Sequence, residues 1–144
     1  MNKILKWTLA LCGLLVILAA GAVWLWGYIL WDMRFSGEPF DRAKWLEIGD
    51  FEEWYRNVST DPSPCPRGPM VEDLTENHLP LGQGKDEIIA FLGEPKEKAA
   101  KFDKYDNCIY FFLGFCSGYR FDVDSLHLCF DKDDRLIDAF PVQH

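Results

Sequence analysis

Cys65, Cys108, Cys116 and Cys129 hold most of this chain's capacity for chemistry, and their spacing decides how they are used. Gaps of seven and twelve residues separate the last three, with no C-x-x-C or H-x-x-x-H pairing, so no zinc site is predicted. An even set in an oxidising compartment predicts two disulfides with three connectivities open, whereas in a reducing one the same residues are small buried hydrophobes. His127 and Cys129 alternate with Leu126, Leu128 and Phe130, which puts them on the strand face turned away from the core. A Cys–His nucleophile there needs a third, orienting group that the sequence does not supply, so the expectation is a solvent-side pair and no catalytic residue. In the oxidised case Cys129 can meet Cys108 on the neighbouring strand, leaving Cys65 for Cys116 between loops, with geometry the arbiter.

Asp131, Asp133 and Asp134 are clustered carboxylates of the kind that suits calcium, but Arg135 and Val142 stand where an EF-hand loop needs ligands. A charged hairpin turn accounts for them, and neither metal nor cofactor is expected. Phe115, Tyr119, Arg120 and Phe121 crowd the long connection between Gly114 and Ser125. Aromatic and Arg side chains anchor interfaces, which makes these four the candidate partner-binding residues; the alternative is that they fold down over a small core.

The elements that must position these groups begin with an anchor. Residues 7–31 are twenty-five positions without a charge, enough at about 1.5 Å per residue to cross a ~30 Å hydrocarbon core with some tilt. Trp7 at one end and Trp24, Trp26, Tyr28 and Trp31 at the other are suited to the two headgroup boundaries. Lys3 and Lys6 favour a cytoplasmic N-terminus and an extracytoplasmic C-terminal part. Ala20-Gly21-Ala22 has the small-x-small form of a cleavage site, but the apolar run continues beyond it, so a retained anchor is predicted.

Residues 32–144 carry all 23 Asp and Glu against 13 of the 15 Lys and Arg, a net charge of −10 with His neutral. With no basic stripe to offset it, such a surface repels phosphate backbones, which excludes nucleic acid as a partner. The length suits one domain. Residues 32–66 read as a juxtamembrane helix and a Pro-rich loop. In that helix Trp45, Ile48, Phe51 and Tyr55 share a face that Gly49 weakens. Pro69 then starts a helix with Met70, Val71, Leu74 and His78 or Leu79 on one face, and Pro80 ends it. KDEIIAFLGEP is a third, well-punctuated helix. KEKAAKFDKYD reads as a solvated connector. Runs at Cys108–Leu113, Leu126–Phe130 and Arg135–Val142 predict three antiparallel strands, with Lys132-Asp133-Asp134 as a tight turn.

The string Arg67-x-x-Met70-x-x-Asp73-Leu74, then Leu81-Gly82, Glu87-Ile88, Leu92-Gly93-x-Pro95, Tyr110-x-x-Leu113-Gly114 and Leu126-x-Leu128-x-Phe130-Asp131 resembles the SmpA/OmlA (BamE-like) domain over about residues 67–142. The resemblance implies an α+β fold: after the N-terminal transmembrane helix, a small two-layer domain at 67–144 with helices on a three-stranded antiparallel sheet. It also implies a bacterial cell-envelope setting and a non-catalytic role. The sequence departs from the lipoprotein members in having a spanning helix and no acylation site, since Leu11 precedes Cys12. The expectation is a single-pass inner-membrane protein that meets the bilayer through residues 7–31 and, through its periplasmic domain, binds another envelope protein as an interaction or scaffolding module. The alternative is an inhibitor-like or ligand-sensing module using the 114–125 loop.

Overall fold

The uncharged N-terminal run lies within a helix: α1 spans Lys3–Phe35, 33 residues, in a computed structural model that describes residues 3–57, 65–102, 105–116 and 122–143. Trp7, Trp24 and Trp26 are exposed on it, as are Leu11, Leu14, Val16 and Ile17; Tyr28 and Trp31 lie on the helix, their side chains outside the described set. Among the described residues no helix is long and apolar enough to cross a membrane.

The chain divides into two units, Met1–Met33 and Arg34–His144. In the second, α2 (Arg42–Glu47) starts where the Asp41 carboxylate accepts from the Ala43 and Lys44 backbone N–H groups at 2.8 and 3.1 Å, the standard relief for amides at a helix start. Gly49 then takes φ +73°, and Asp50 starts α3 (Phe51–Asn57) by accepting from the Glu53 N–H at 2.8 Å. This break resets the helical phase, so the expectation for Tyr55 is corrected: Trp54 is buried in its place and Tyr55 is exposed.

From Gly68 to His78 the chain is helical but uneven: a 3-10 turn (Gly68–Met70), one α turn, α4 (Val71–Asp73), and a π turn (Leu74–His78). Met70, Val71 and Leu74 are buried as the spacing predicts. Widening the last turn brings Leu79 under the core, five residues after Leu74, and leaves His78 exposed. The following helix, α5 (Lys85–Leu92), buries Ile88 and Leu92 and stops at Gly93, whose φ is +88°.

The three expected strands are present as β2 (Tyr105–Gly114), β3 (Asp124–Phe130) and β4 (Leu136–Val142). A further strand, β1 (Glu97–Phe102), precedes them, and the antiparallel order is β1-β2-β3-β4. The predicted connector is therefore corrected to an edge strand. Edge pairing uses the backbone alone, so Lys-rich sequence with no apolar alternation satisfies it, and charge there discourages unwanted pairing. Ile109, Phe111 and Leu113 of β2, with Leu126, Leu128 and Phe130 of β3, form one core with Trp45, Met70, Leu74, Ile88 and Leu92 from the helical layer. The architecture is thus two-layered α+β.

The other edge, β4, is paired at its start and short of outward donors beyond it. Gly82 N–H donates to the Leu136 carbonyl at 2.8 Å and Leu136 N–H to that of Gln83 at 2.9 Å, so chain already occupies its start. Further on, Ala139 N–H is taken by the Asp138 carboxylate at 2.9 Å, and Pro141, turned the same way two residues later, has no N–H to offer. An incoming strand would find no donor at either position.

Candidate functional site

The sheet face opposite the main core carries the pair expected to be solvent-facing, and the structure corrects that expectation. His127 is 6% exposed and Cys129 fully buried. His127 is stacked between Tyr110 of β2 and Phe140 of β4, with ring centroids 5.3 and 5.9 Å away, and its Nε2 lies 3.0 Å from the Ser125 hydroxyl. Alternation placed these residues on the right face; aromatic side chains from both neighbouring strands flank His127, which one strand's pattern does not reveal. Cys129 is bonded to Cys108, its direct partner in the β2–β3 register, and so offers no thiolate to His127. Cys65 and Cys116 form the second bridge, leaving Cys12 on α1 as the free cysteine among the described residues.

Phe115 is buried, packing on Trp54 at 5.5 Å, the arrangement of the alternative in which the loop's aromatic residues fold down over the core. Tyr119, Arg120 and Phe121 lie outside the described residues. The Asp131 carboxylate accepts from the backbone N–H groups of Asp133 and Arg135, both at 2.9 Å, and Asp134 accepts from Asn107 Nδ2 at 2.8 Å. These carboxylates hold the β3–β4 turn, and no group of three or more metal-ligating side chains occurs among the described residues.

A different residue forms the most unusual environment. Arg67 follows Cys65 in a Pro- and Gly-rich stretch, and its backbone N–H donates to the Leu113 carbonyl at 3.2 Å, beside the Cys65–Cys116 bridge. Its side chain thereby enters between the helical layer and the sheet and is 5% exposed. The guanidinium lies 4.7 Å from the Trp45 ring centroid and 4.4 Å from that of Phe112, a favourable placement for a delocalised cation. Trp45 is itself fixed by an Nε1–H bond to the Leu92 carbonyl at 3.1 Å. Around the guanidinium's rim, Nε and Nη2 donate to the Trp45 carbonyl at 3.2 and 2.9 Å, Nη2 to Gly49 at 3.1 Å, and Nη1 to Phe112 at 3.4 Å.

These acceptors are neutral. Among the described residues no carboxylate forms an ion pair with Arg67, and burial alone lowers its pKa from the usual value to about 10. The group stays charged at neutral pH, held by carbonyl dipoles and aromatic faces rather than by a counter-ion. It lines a pocket of about 360 Å³ whose wall also includes Asp50, Glu52, Glu94, Lys96 and Phe112. In the sequence Arg67 stood only as the first position of the string that resembles the SmpA/OmlA domain and as a lone cation in the breaker-rich Cys65-Pro66-Arg67-Gly68-Pro69, neither of which marks it as buried. Its three acceptors lie on α2, on the α2–α3 break and on β2, segments that nothing local to Arg67 connects.

No protein-family model, curated protein or solved structure matches this chain.

Proposed function

We propose that this is a single-pass protein of the bacterial cell envelope, anchored in the inner membrane by α1, with the rest of the chain outside the cytoplasm and its BamE-like domain at 67–144 acting as a protein-interaction or scaffolding module. The observation that carries the reading is the partition of the cysteines: all four in the second unit are bonded in pairs, while Cys12 on the apolar helix is free. Paired cysteines throughout a small acidic domain suit an oxidising compartment, and a helix whose residues 7–31 carry no charge and whose Trp and Leu side chains are exposed suits lipid. The donor-poor β4 edge favours recognition by surface complementarity over strand addition there.

Phosphatase and fluorescent-protein fusions after His144, combined with thiol labelling under denaturing, non-reducing conditions, test the reading. An active phosphatase, a dark fluorescent protein and one labelled thiol per chain are expected. A bright fusion together with five labelled thiols would refute it.

A further inference from the structure

The two bridges interleave along the chain. Cys65 is bonded to Cys116 and Cys108 to Cys129, first with third and second with fourth, so neither bond joins cysteines that are consecutive in the sequence. The consecutive pairings, Cys65–Cys108 and Cys116–Cys129, close shorter loops than Cys65–Cys116 and Cys108–Cys129, whose sequence separations are 51 and 21. In a chain without tertiary structure, loop-closure entropy therefore favours the consecutive bonds. The fold arrives too late to prevent them. A chain made N-terminus first, at about 5–20 residues per second, presents Cys65 and Cys108 before Cys129. β3, which sets Cys129 opposite Cys108, and β4, which pairs with β3, are the last elements of the chain. Once formed, the consecutive bonds are incompatible with the domain. Cys116 belongs to the main core and Cys65 packs against it, whereas Cys108 and Cys129 alternate with the core residues Ile109 and Leu128 and lie on the opposite face of the sheet. A Cys65–Cys108 or Cys116–Cys129 bond would have to run through the sheet. Mispaired chain is thus held unfolded with its bonds open to attack, while in the native pairing Cys108 and Cys129 are fully buried and out of an external thiolate's reach.

We propose that this protein is a client of a thiol–disulfide isomerase, which converts the consecutive pairing into the interleaved one before the sheet closes. The inference rests on the extracytoplasmic placement proposed above, where oxidation accompanies translocation. Three thiol–disulfide exchanges suffice, with no net gain or loss of electrons. The isomerase thiolate attacks Cys108 Sγ in the Cys65–Cys108 bond, forming a mixed disulfide and releasing the Cys65 thiolate. Cys65 attacks Cys116 Sγ in the Cys116–Cys129 bond, forming Cys65–Cys116 and releasing the Cys129 thiolate. Cys129 attacks Cys108 Sγ in the mixed disulfide, forming Cys108–Cys129 and returning the isomerase thiolate. Folding then buries the products, which makes the outcome one-way. Without a catalyst such rearrangement takes minutes to hours, far longer than synthesis of the chain.

The test produces the full chain in a bacterium with and without its envelope disulfide isomerase, blocks free thiols on acid quenching, and maps the bridges by non-reducing proteolysis and mass spectrometry. The companion variant, Cys65→Ala with Cys116→Ala, leaves a single pairing possible within residues 34–144. With the isomerase, the interleaved bridges are expected. Without it, natively paired chain should fall about threefold or more, replaced by chain carrying Cys65–Cys108 and Cys116–Cys129, while Cys108–Cys129 forms equally in both hosts in the companion variant. Undiminished native pairing without the isomerase, or an equal dependence of the companion variant on it, would overturn this proposal and leave the envelope reading standing. All four cysteines reduced in both hosts would overturn the envelope reading and this proposal with it.

Discussion

Gly68→Ala separates packing from propensity, because the two predict opposite signs. Gly68 lies in the 3-10 turn with φ on the ordinary negative side, so a local argument says that Ala should stabilise by up to about 1 kcal/mol through its lower unfolded-state entropy and better helix propensity. The tertiary contacts say the reverse. A Cβ at this position would stand 2.2 Å from Cys65 Sγ, 2.9 Å from Cys116 Sγ and 2.7 Å from the Arg34 carbonyl oxygen, where unstrained carbon contacts need about 3.5–4.0 Å. None of the three can yield easily, since two are the halves of a disulfide and the third is backbone. If the bridge survives by distortion, the cost is that of overpacking, about 1–3 kcal/mol. If it fails to form, the chain loses the constraint on a loop of sequence separation 51, about 4 kcal/mol on the chain-entropy model. At roughly 4 °C per kcal/mol for a domain of this size, Tm should fall by about 4–16 °C. Thermal unfolding by circular dichroism, together with a mass count of alkylatable thiols before reduction, reads both routes. A variant with both bridges intact and an unchanged or raised Tm would refute the reasoning.

Replacing both Cys108 and Cys129 by Ala should cost about 3 kcal/mol in urea unfolding, less than the other bridge because its sequence separation is 21; a cost above that of removing Cys65–Cys116 would contradict the loop-length argument. Arg67→Lys keeps the charge but not the planar fork, so at least two of the Trp45, Gly49 and Phe112 carbonyls lose their donor, and about 2–4 kcal/mol of destabilisation is expected from the same measurement. The Asp73 carboxyl is held below its usual value first by the Phe40 backbone N–H at 2.7 Å, then by Asn77, with His78 adding to the effect. Its stabilising contribution is therefore complete above the ordinary carboxylate range and fades as pH falls through the lowered folded-state value. Asp73→Asn should accordingly flatten the acid side of a Tm-against-pH curve, and a variant whose acid limb overlays that of the parent would dispose of this assignment.

Local pattern carried a good deal of this molecule. The charge-free stretch from Trp7, the punctuation of α5 by Gly93 and Pro95, and the alternation of Leu126, Leu128 and Phe130 are each set by forces acting between near neighbours in the chain, and they read correctly as helix, helix stop and core-facing strand. The disulfide pairing was legible conditionally, because two strands joined by one connection lie side by side and bring Cys108 opposite Cys129. Gly49 was legible as a weak point in its helix, but the phase of the helix restarted beyond it was not, and so Tyr55 was expected where Trp54 is buried.

What escaped the sequence shares one cause: each outcome depends on groups far apart in the chain, whose meeting leaves no periodic trace in either segment. β1 pairs through its backbone, which every residue possesses, so composition says little about it. His127 is covered by rings from two other strands. Arg67 has acceptors 22, 18 and 45 residues away, and whether a lone arginine is a solvated surface group or a buried cation lining a pocket depends on what surrounds it. Composition and periodicity determined which elements form and which faces they bury; the packing of those elements alone decided which polar groups were taken out of water, and that is where the candidate site lies.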